Sequence, residues 1–571
     1  MSYNLMGNTK MRKKVILISV ILLIQCGALH AQVLRPLEPG AVQQRSADTL
    51  KYYRFEKKLK EEKKKRADEE KVVEEEEKVK PLPPEVADRV IFISKIETGP
   101  SEILSEEEIR AIIAPYEGRE ANISDIFALL DQLNKLYSAE NVITAKAVLP
   151  PQKVEDGVIR IKLIEAHLGS VQIEGNQYTR SSYFQKRISL ERGELVDIDA
   201  LKNDLLYFNR TNDVAMRAEL KAGEEFGLTD FVLKVYEPTN YYVSVFVDNA
   251  GREEVGRERI GVNAGSLSLL GIRDPLSLSG YISDGTISGS LAYNIPITSS
   301  GTRLGVLASY TDIEITSGPF VPLNITGDSY DVAITLSHPI IVMRRYDITG
   351  FAEYHVKEST TNFDDVTLFD TEGDSLPFGI EYQSFGHNFD ITSRWYATFG
   401  SYDNQSVSDD FFKVNADATG ILSIQNIYST VLKAGAQITD AELLPSFEQF
   451  QIGGLATVRG FDDGALIGDQ GYFLSAELNF PFSFLKAGDI TAKHADNIRG
   501  FVFLDHGGVV AFKGPAAGSG DFDMITSTGF GVTFSLSKYL MGKLIFGLPV
   551  DSPPNIDDDP KFHFYLQSNI L

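Results

Sequence analysis

The sequence predicts a β-barrel membrane protein. Its barrel has sixteen antiparallel strands, preceded by two small α/β modules and an amino-terminal helix. Three observations predict this. A short apolar leader opens the chain, an α/β pattern of roughly 75 residues occurs twice, and sixteen alternating segments follow beyond Tyr241.

The leader comes first. Met11-Arg12-Lys13-Lys14 is positive, Val15 through Ile24 is apolar, and small Ala31 suits the last residue before cleavage. Residues 1–31 therefore read as a secretory signal peptide, with Met11 a credible true start; the apolar run is too short to cross a membrane as a helix. Gln25 before Cys26 departs from a lipoprotein signal. No later segment holds 18 consecutive apolar residues. The mature chain is thus either soluble outside the inner membrane or a barrel in an outer membrane, its strands set in lipid.

Composition excludes several functions. The chain of 571 residues carries a formal charge of −24, which suits no nucleic-acid partner. Cys26 is the one cysteine, so no intrachain disulfide or cysteine metal cage can form. The 8 histidines show no H-E-x-x-H pattern, and neither G-x-S-x-G nor a P-loop occurs. No catalytic, cofactor or metal site is predicted, and the chain is read as not an enzyme.

Residues 32–84 form a charged segment. Lys51–Lys80 contains 12 basic and 10 acidic residues, and Pro81-Leu82-Pro83-Pro84 ends it. A solvated helix with a linker and a disordered charged spacer fit this composition equally.

Residues 85–167 are the first α/β module. Arg89–Ile96 reads as a strand, and Ser105-Glu106-Glu107-Glu108 as a capping box for a helix through Ala114. Ser124 is the predicted cap of a second helix, in which Ile126, Leu129, Leu130, Leu133, Leu136 and Tyr137 share one face. Val142–Val148 and Val158–Glu165 are strands, joined through Pro150, Pro151, Asp156 and Gly157. Residues 168–238 repeat the order around Gly175-Asn176. Leu168–Glu174 is a strand, Arg180–Ile188 and Asp199–Phe208 are helices, and Val214–Leu220 and Phe231–Glu237 are strands. Small modules with a free strand edge can dock an extended peptide by strand addition.

Residues 239–571 are the barrel. Its predicted strands are Tyr241–Asn249, Arg259–Leu267, Pro275–Asp284, Gly289–Ile297, Thr302–Ile313, Ser329–His338, Tyr346–Val356 and Leu376–Gln383. They continue as Ile391–Tyr402, Phe411–Ile424, Ser429–Thr439, Gly471–Phe480, Ile498–His506, Ser527–Leu536, Leu540–Val550 and Phe562–Ile570. A tilted spanning strand takes about 10 residues, which leaves loops of about 11 on average. In Thr302–Ile313, Leu304, Val306, Ala308 and Tyr310 can face lipid, while Arg303, Gly305, Leu307, Ser309 and Thr311 point inward.

Several motifs now fall in order. They are Leu149-Pro150-Pro151-Gln152 with Asp156-Gly157, and Asp248-Asn249-Ala250-Gly251. Then come Val458-Arg459-Gly460-Phe461 with Gly468-Asp469-Gln470-Gly471 and Ala476-Glu477-Leu478, and finally Phe503-Leu504-Asp505-His506-Gly507. With these the chain resembles the TpsB transporters of two-partner secretion, within the BamA-type superfamily, over nearly all of residues 88–571. The resemblance implies two periplasmic polypeptide-transport-associated (POTRA) domains and a 16-stranded outer-membrane barrel. It implies an amino-terminal helix able to plug the pore, assigned to residues 51–80 by position.

It also implies that the loop carrying Arg459 folds into the lumen and meets Asp505 on the wall, with Phe503 and Gly507 beside it. Gly460 would let the backbone turn tightly there. Tyr137, Pro150, Gln152, Gly157, Gly175 and Asn176 are the matching features of the modules. Two positions depart from the family pattern: Asn141-Val142 stands where Gly-Tyr is usual, and the chain ends in Asn569-Ile570-Leu571 rather than an aromatic residue. The implied function is export of a secreted, TpsA-like exoprotein from the periplasm to the cell surface. The alternative is a BamA- or TamA-like factor that inserts other barrels, which usually carries more POTRA repeats.

Overall fold

The computed structural model describes residues 38–45, 90–140, 145–165, 167–195, 197–223, 228–364, 366–404, 407–425, 427–481, 497–510, 522–536 and 539–571. The leader at 1–31 and the charged stretch at 51–80 lie outside the described residues. The chain divides into two compact units. One holds residues 60–238, and the other joins 239–571 to the amino-terminal residues through 59.

The α/β unit opens with β1 (Val90–Ile93) and β2 (Lys95–Thr98), α1 (Glu106–Ile113), β3 (Arg119–Asn122), α2 (Ile123–Ala139), β4 (Ala145–Val148) and β5 (Val158–Glu165). The single strand predicted over 89–96 is two strands. Ser94 parts them, because its backbone N–H donates to the Gly157 carbonyl (2.8 Å) and its hydroxyl to the Asp156 carbonyl (2.6 Å). That leaves β1 to pair with β3 while β2 lies parallel to β5. The Ser105–Glu108 capping box is present.

The second helix starts earlier than predicted. Asn122, not Ser124, caps it, in a reciprocal box with Asp125. Its predicted apolar face forms the core of this module. Ile126, Leu129, Leu130, Leu133 and Tyr137 pack on Ile93, Ile159 and Ile161, with Leu136 partly buried.

The second module contains β6 (His167–Glu174), α3 (Ser181–Gln185), α4 (Ile198–Thr211), β7 (Ala215–Ala222) and β8 (Leu228–Tyr236). Its sheet order, β6-β8-β7, matches β2-β5-β4 of the first module. In both, the last strand is central, parallel to the first and antiparallel to the one before it. The sequence repeat is therefore a repeat of topology.

The other unit is a closed antiparallel barrel of sixteen strands. They are β9 (Tyr241–Asp248), β10 (Arg259–Ser266), β11 (Leu276–Ile282), β12 (Thr286–Pro296), β13 (Arg303–Glu314), β14 (Ile325–Val342), β15 (Tyr346–Phe363), β16 (Val366–Phe385), β17 (Phe389–Asp403), β18 (Ser408–Ile424) and β19 (Tyr428–Thr439). A hairpin of β20 (Phe450–Ile452) and β21 (Leu466–Gly468) stands outside the ring. The ring resumes with β22 (Gln470–Pro481), β23 (Ile498–Val510), β24 (Phe522–Ser535), β25 (Leu540–Asp551) and β26 (Lys561–Asn569). Each predicted segment corresponds to one strand.

The outward face is apolar at the positions that alternation assigned. Leu304, Val306 and Tyr310 are exposed on the outer surface, whereas Gly305 and Thr311 are buried. Several strands are longer than predicted, and the longest, β14 to β18, run for 15–20 residues. A bilayer needs only about 10 per tilted strand. The added length carries polar outward residues: Asp328 on β14, beyond Tyr330 on the same face, stands in register with Asp312 of β13.

Closure of the ring is uneven. At the junction of first and last strands only Ser244–Asp248 is in register with Tyr565–Asn569, the shortest ladder of the ring. Beyond it single main-chain bonds continue, from the Ile570 amide to the Val243 carbonyl (2.8 Å) and from the Asn249 amide to the Phe564 carbonyl (3.4 Å), and a side chain adds to them. The Asn249 carboxamide donates to the Phe562 carbonyl (2.7 Å) and accepts from the Phe564 amide (2.9 Å).

Candidate functional site: the lumen loop and its anchors

Residues 440–469 link β19 to β22 and carry the hairpin β20–β21 with the Val458–Phe461 motif at its turn. Gly453 and Gly454 enter that turn at φ +112° and +71°. A side chain would strain both positions. Val458 and Phe461 are fully buried with Ile452, Leu466, Val509 and Ile525, so an apolar cluster holds the turn from both sides of Arg459.

Arg459 and Asp505 meet. The Arg459 Nε donates to Asp505 Oδ2 (2.8 Å) and Nη2 to Oδ1 (2.9 Å), a bidentate pair. The Arg459 backbone amide adds a third bond to Oδ2 (3.1 Å). Two partners were not foreseen: Nη1 donates to Glu477, and Nη2 also donates to Ser475 (3.2 Å). Lys543 Nζ lies 3.4 Å from Glu477, and Lys433, across from Ser475, adds positive charge nearby. Arg459 is 3% exposed and Asp505 0%. Buried charges are tolerated only when paired and hydrogen-bonded in this way. Phe503 lies flat beneath the guanidinium, its ring centre 3.8 Å from Cζ. Gly507 faces the same side of β23, where a Cβ would come within 3.1 Å of Ile452.

Gly460 serves the loop differently from expectation. Its φ is not positive. The constraint is close approach: a Cβ there would sit 2.5 Å from the Ser527 Cβ, and one on Gly547 would sit 2.2 Å from the Arg459 carbonyl oxygen. Loop and wall thus touch backbone to backbone. The Gly460 amide donates to Ser527 Oγ (3.1 Å), and His563 Nε2 lies 3.0 Å from the Arg459 carbonyl oxygen.

The loop root has an anchor of opposite sign. Glu448 Oε1 lies 2.7 Å from Lys357 Nζ on β15, and Oε2 lies 2.5 Å from Lys413 Nζ on β18. Burial opposes ionisation of Glu448. The two ammonium groups outweigh it and hold the carboxyl well below the usual carboxylate range.

Residues 39–45 are helical and also lie in the barrel. The Gly40 amide donates to Ser359 Oγ (3.1 Å), and Gln43 Nε2 to Ser309 Oγ (2.9 Å). Arg45 reaches the loop. It pairs with Asp463 (2.7 Å), donates to the Gly453 carbonyl, and donates to Thr457 Oγ1 (3.1 Å). The amino-terminal stretch seen inside the barrel is thus 38–45, just ahead of the charged run that the resemblance assigned.

The features of the modules stay apart from this cluster in sequence and hold turns and edges. The Tyr137 hydroxyl donates to Glu165 (2.8 Å). Gln152 bridges to the backbone of Arg160, donating to its carbonyl (2.7 Å) and accepting from its amide (2.9 Å), while the Pro150 carbonyl accepts from Gln152 at 3.5 Å. Gly157 and Gly175 have φ of +73° and +91°, and Asn176 donates to the Thr179 carbonyl (2.8 Å). In the Asp248–Gly251 motif, Asp248 forms a buried bidentate pair with Arg259 (2.7 and 3.0 Å).

Comparison with known proteins agrees with this architecture. The heme/hemopexin transporter protein HuxB of Haemophilus influenzae (strain 86-028NP) is 25% identical over 81% of this chain and 83% of its own. The outer membrane transporter CdiB of Escherichia coli is 22% identical over 70% of this chain and 71% of its own. Among solved structures, CdiB from Escherichia coli superposes with a TM-score of 0.62 at 18% identity, covering 94% of this chain and 100% of that one. BamA from Haemophilus ducreyi, lacking POTRA domains 1–3, superposes at 0.52 and 15% identity, covering 84% and 100%. These likenesses concern the fold. A ShlB-type POTRA domain model matches residues 91–166. The model for haemolysin secretion/activation protein ShlB/FhaC/HecB matches residues 227–534, which hold the Asp248 turn, the Arg459 loop and Asp505, and the chain belongs to that family of TpsB outer-membrane transporters.

Proposed function

We propose that this protein is the export pore for a secreted exoprotein. The exoprotein binds unfolded at the α/β modules, through strand addition to edges such as β4 or β7, and threads the barrel to the cell surface. The modules then lie in the periplasm. At rest residues 38–45 and the lumen loop close the pore. The observation that carries this reading is the buried ionic clamp at Arg459, which spends four charges on keeping a surface-length loop inside the barrel. No nucleotide motif is present in the sequence, so folding of the exoprotein outside supplies direction.

The test is secretion. Deleting the gene should abolish export of one exoprotein and leave other outer-membrane proteins at normal levels. A general loss of outer-membrane barrels would instead assign the chain to barrel insertion. In planar bilayers, removing residues 38–45 should raise the resting ion current severalfold. An unchanged current would refute the closing role of that segment.

A further inference from the structure

The lumen loop is held at both ends, and the second hold is not marked by any motif of the sequence. We infer that Glu448 is a positioning residue of the pore, which fixes the root of the loop and through it seats the amino-terminal segment. This deepens the export reading above.

The geometry is specific. Glu448 is 4% exposed, and its carboxylate is shared by lysines from two strands, β15 and β18. Its backbone carbonyl is held as well, accepting from Lys413 Nζ (3.0 Å) and Gln437 Nε2 (2.9 Å). The two residues before it, Ser446 and Phe447, form a shelf under the segment. A Cβ on Gly40 would lie 3.1 Å from the Phe447 Cβ and 3.2 Å from the hydroxyls of Ser446 and Ser359. Lys357 and Ser359 are two apart on one strand and so share a face. One grips the loop through Glu448, and the other grips the segment at the Gly40 amide. Shelf and wall meet along one line.

The polarity is also informative. At the motif end Arg459 of the loop meets Asp505 and Glu477 of the wall, with wall Lys543 beside them; at the root Glu448 of the loop meets two wall lysines. At both holds the principal charge of the loop is met by wall groups of opposite sign. Removing the Glu448 charge leaves two buried ammonium groups without the carboxylate they share. The shelf then shifts, and the segment loses its seat.

A cysteine pair reads the seat directly. Gly40→Cys and Ser359→Cys in a Cys26→Ser background place the reacting groups within disulfide reach. In the full-length protein in outer membranes, mild oxidation should link most of the pair. Adding Glu448→Gln should lower the linked fraction at least fivefold, and Lys357→Gln should lower it less. Combining Glu448→Lys with Lys413→Glu should restore it, which a general packing defect would not allow.

Parent-level linking in Glu448→Gln, with the barrel still heat-modifiable on gels, overturns the inference. Should Glu448→Gln fail to fold, Lys357→Gln decides by the same fraction, and parent-level linking there overturns it too. Conductance is a separate readout. An unchanged current on deleting 38–45 would sink the closing role and leave the linking result standing.

Discussion

Asp505 accepts three hydrogen bonds from Arg459, two from the guanidinium and one from the backbone amide of the same residue. The side chain and the chain path of the loop are therefore fixed by one carboxylate. Arg459→Ala strands Asp505 and leaves Glu477 to Lys543 and the nearby Lys433. Breaking one partner of a buried pair costs about 3–5 kcal/mol. Export should fall more than tenfold in Arg459→Ala, with barrel abundance and heat-modifiability retained. Arg459→Lys should be intermediate, because it keeps the charge and loses the bidentate fork. Normal export at equal barrel levels would show that the clamp serves stability alone.

Gly460→Ala should mimic loss of the clamp. The new methyl group meets the Ser527 Cβ at 2.5 Å and forces loop and wall apart. Overpacking of this kind costs about 1–3 kcal/mol. Ser527→Ala cannot relieve it, because the clash is with Cβ. Ser527→Gly removes that contact at the expense of the hydroxyl that binds the Gly460 amide, and relieves the crowding in part, because the Pro549 nitrogen stays 3.1 Å from the methyl group. Export measured in the two double variants separates close approach from any other role of the glycine.

Arg45→Ala removes three bonds between the amino-terminal segment and the loop. Resting current in planar bilayers should rise severalfold, toward that of the 38–45 deletion. Asp463→Asn should have a smaller effect, since the Gly453 carbonyl and Thr457 still hold the guanidinium. Equal, wild-type currents in both variants would remove Arg45 from the closing mechanism.

Glu117 makes the first module pH-sensitive. Its carboxylate accepts from the Ile96 amide (2.8 Å) and pairs with Arg110 (2.8 Å). The Ile96 bond, and then Arg110, hold its pKa below the ordinary 4.5. A lowered folded pKa stabilises above the ordinary value and loses that contribution as pH falls through the folded one. Hydrogen exchange at Ile96, corrected for intrinsic rate, should therefore accelerate below about pH 4.5. Glu117→Gln should exchange faster at neutral pH and lose the acid step. A pH-independent Ile96 signal in the native sequence would reject the assignment.

The barrel was legible because lipid outside and polar groups inside impose a period of two, broken by turn residues. Legibility stops where lipid stops. Along β14–β16 the outward residues become Asp328, Glu358 and Asp370, alternation fades, and the strands run on unseen. In the first module Arg89–Ile96 reads as one strand, since the break at Ser94 depends on Gly157, more than sixty residues away in the chain. Strand β3, Arg-Glu-Ala-Asn, has no β-branched residue to signal it.

The candidate site was partly legible. Arg459 and Asp505 stood in motifs, and Glu477 stood in one without its role. Its inward position on β22, shared with Ser475, was the available signal. Glu448, Lys357, Arg45 and Asp463 are single charges in a chain rich in them, and only the fold brings them together.

Around most of the ring, adjoining strands are tied by main-chain amides, which every residue except proline supplies. At the first–last junction part of the tie belongs to the Asn249 carboxamide. Closure there draws partly on the identity of a side chain, so a one-letter change in the gene can retune how firmly the cylinder is sealed. At this suture part of the seal is thus written in a side chain, and open to selection.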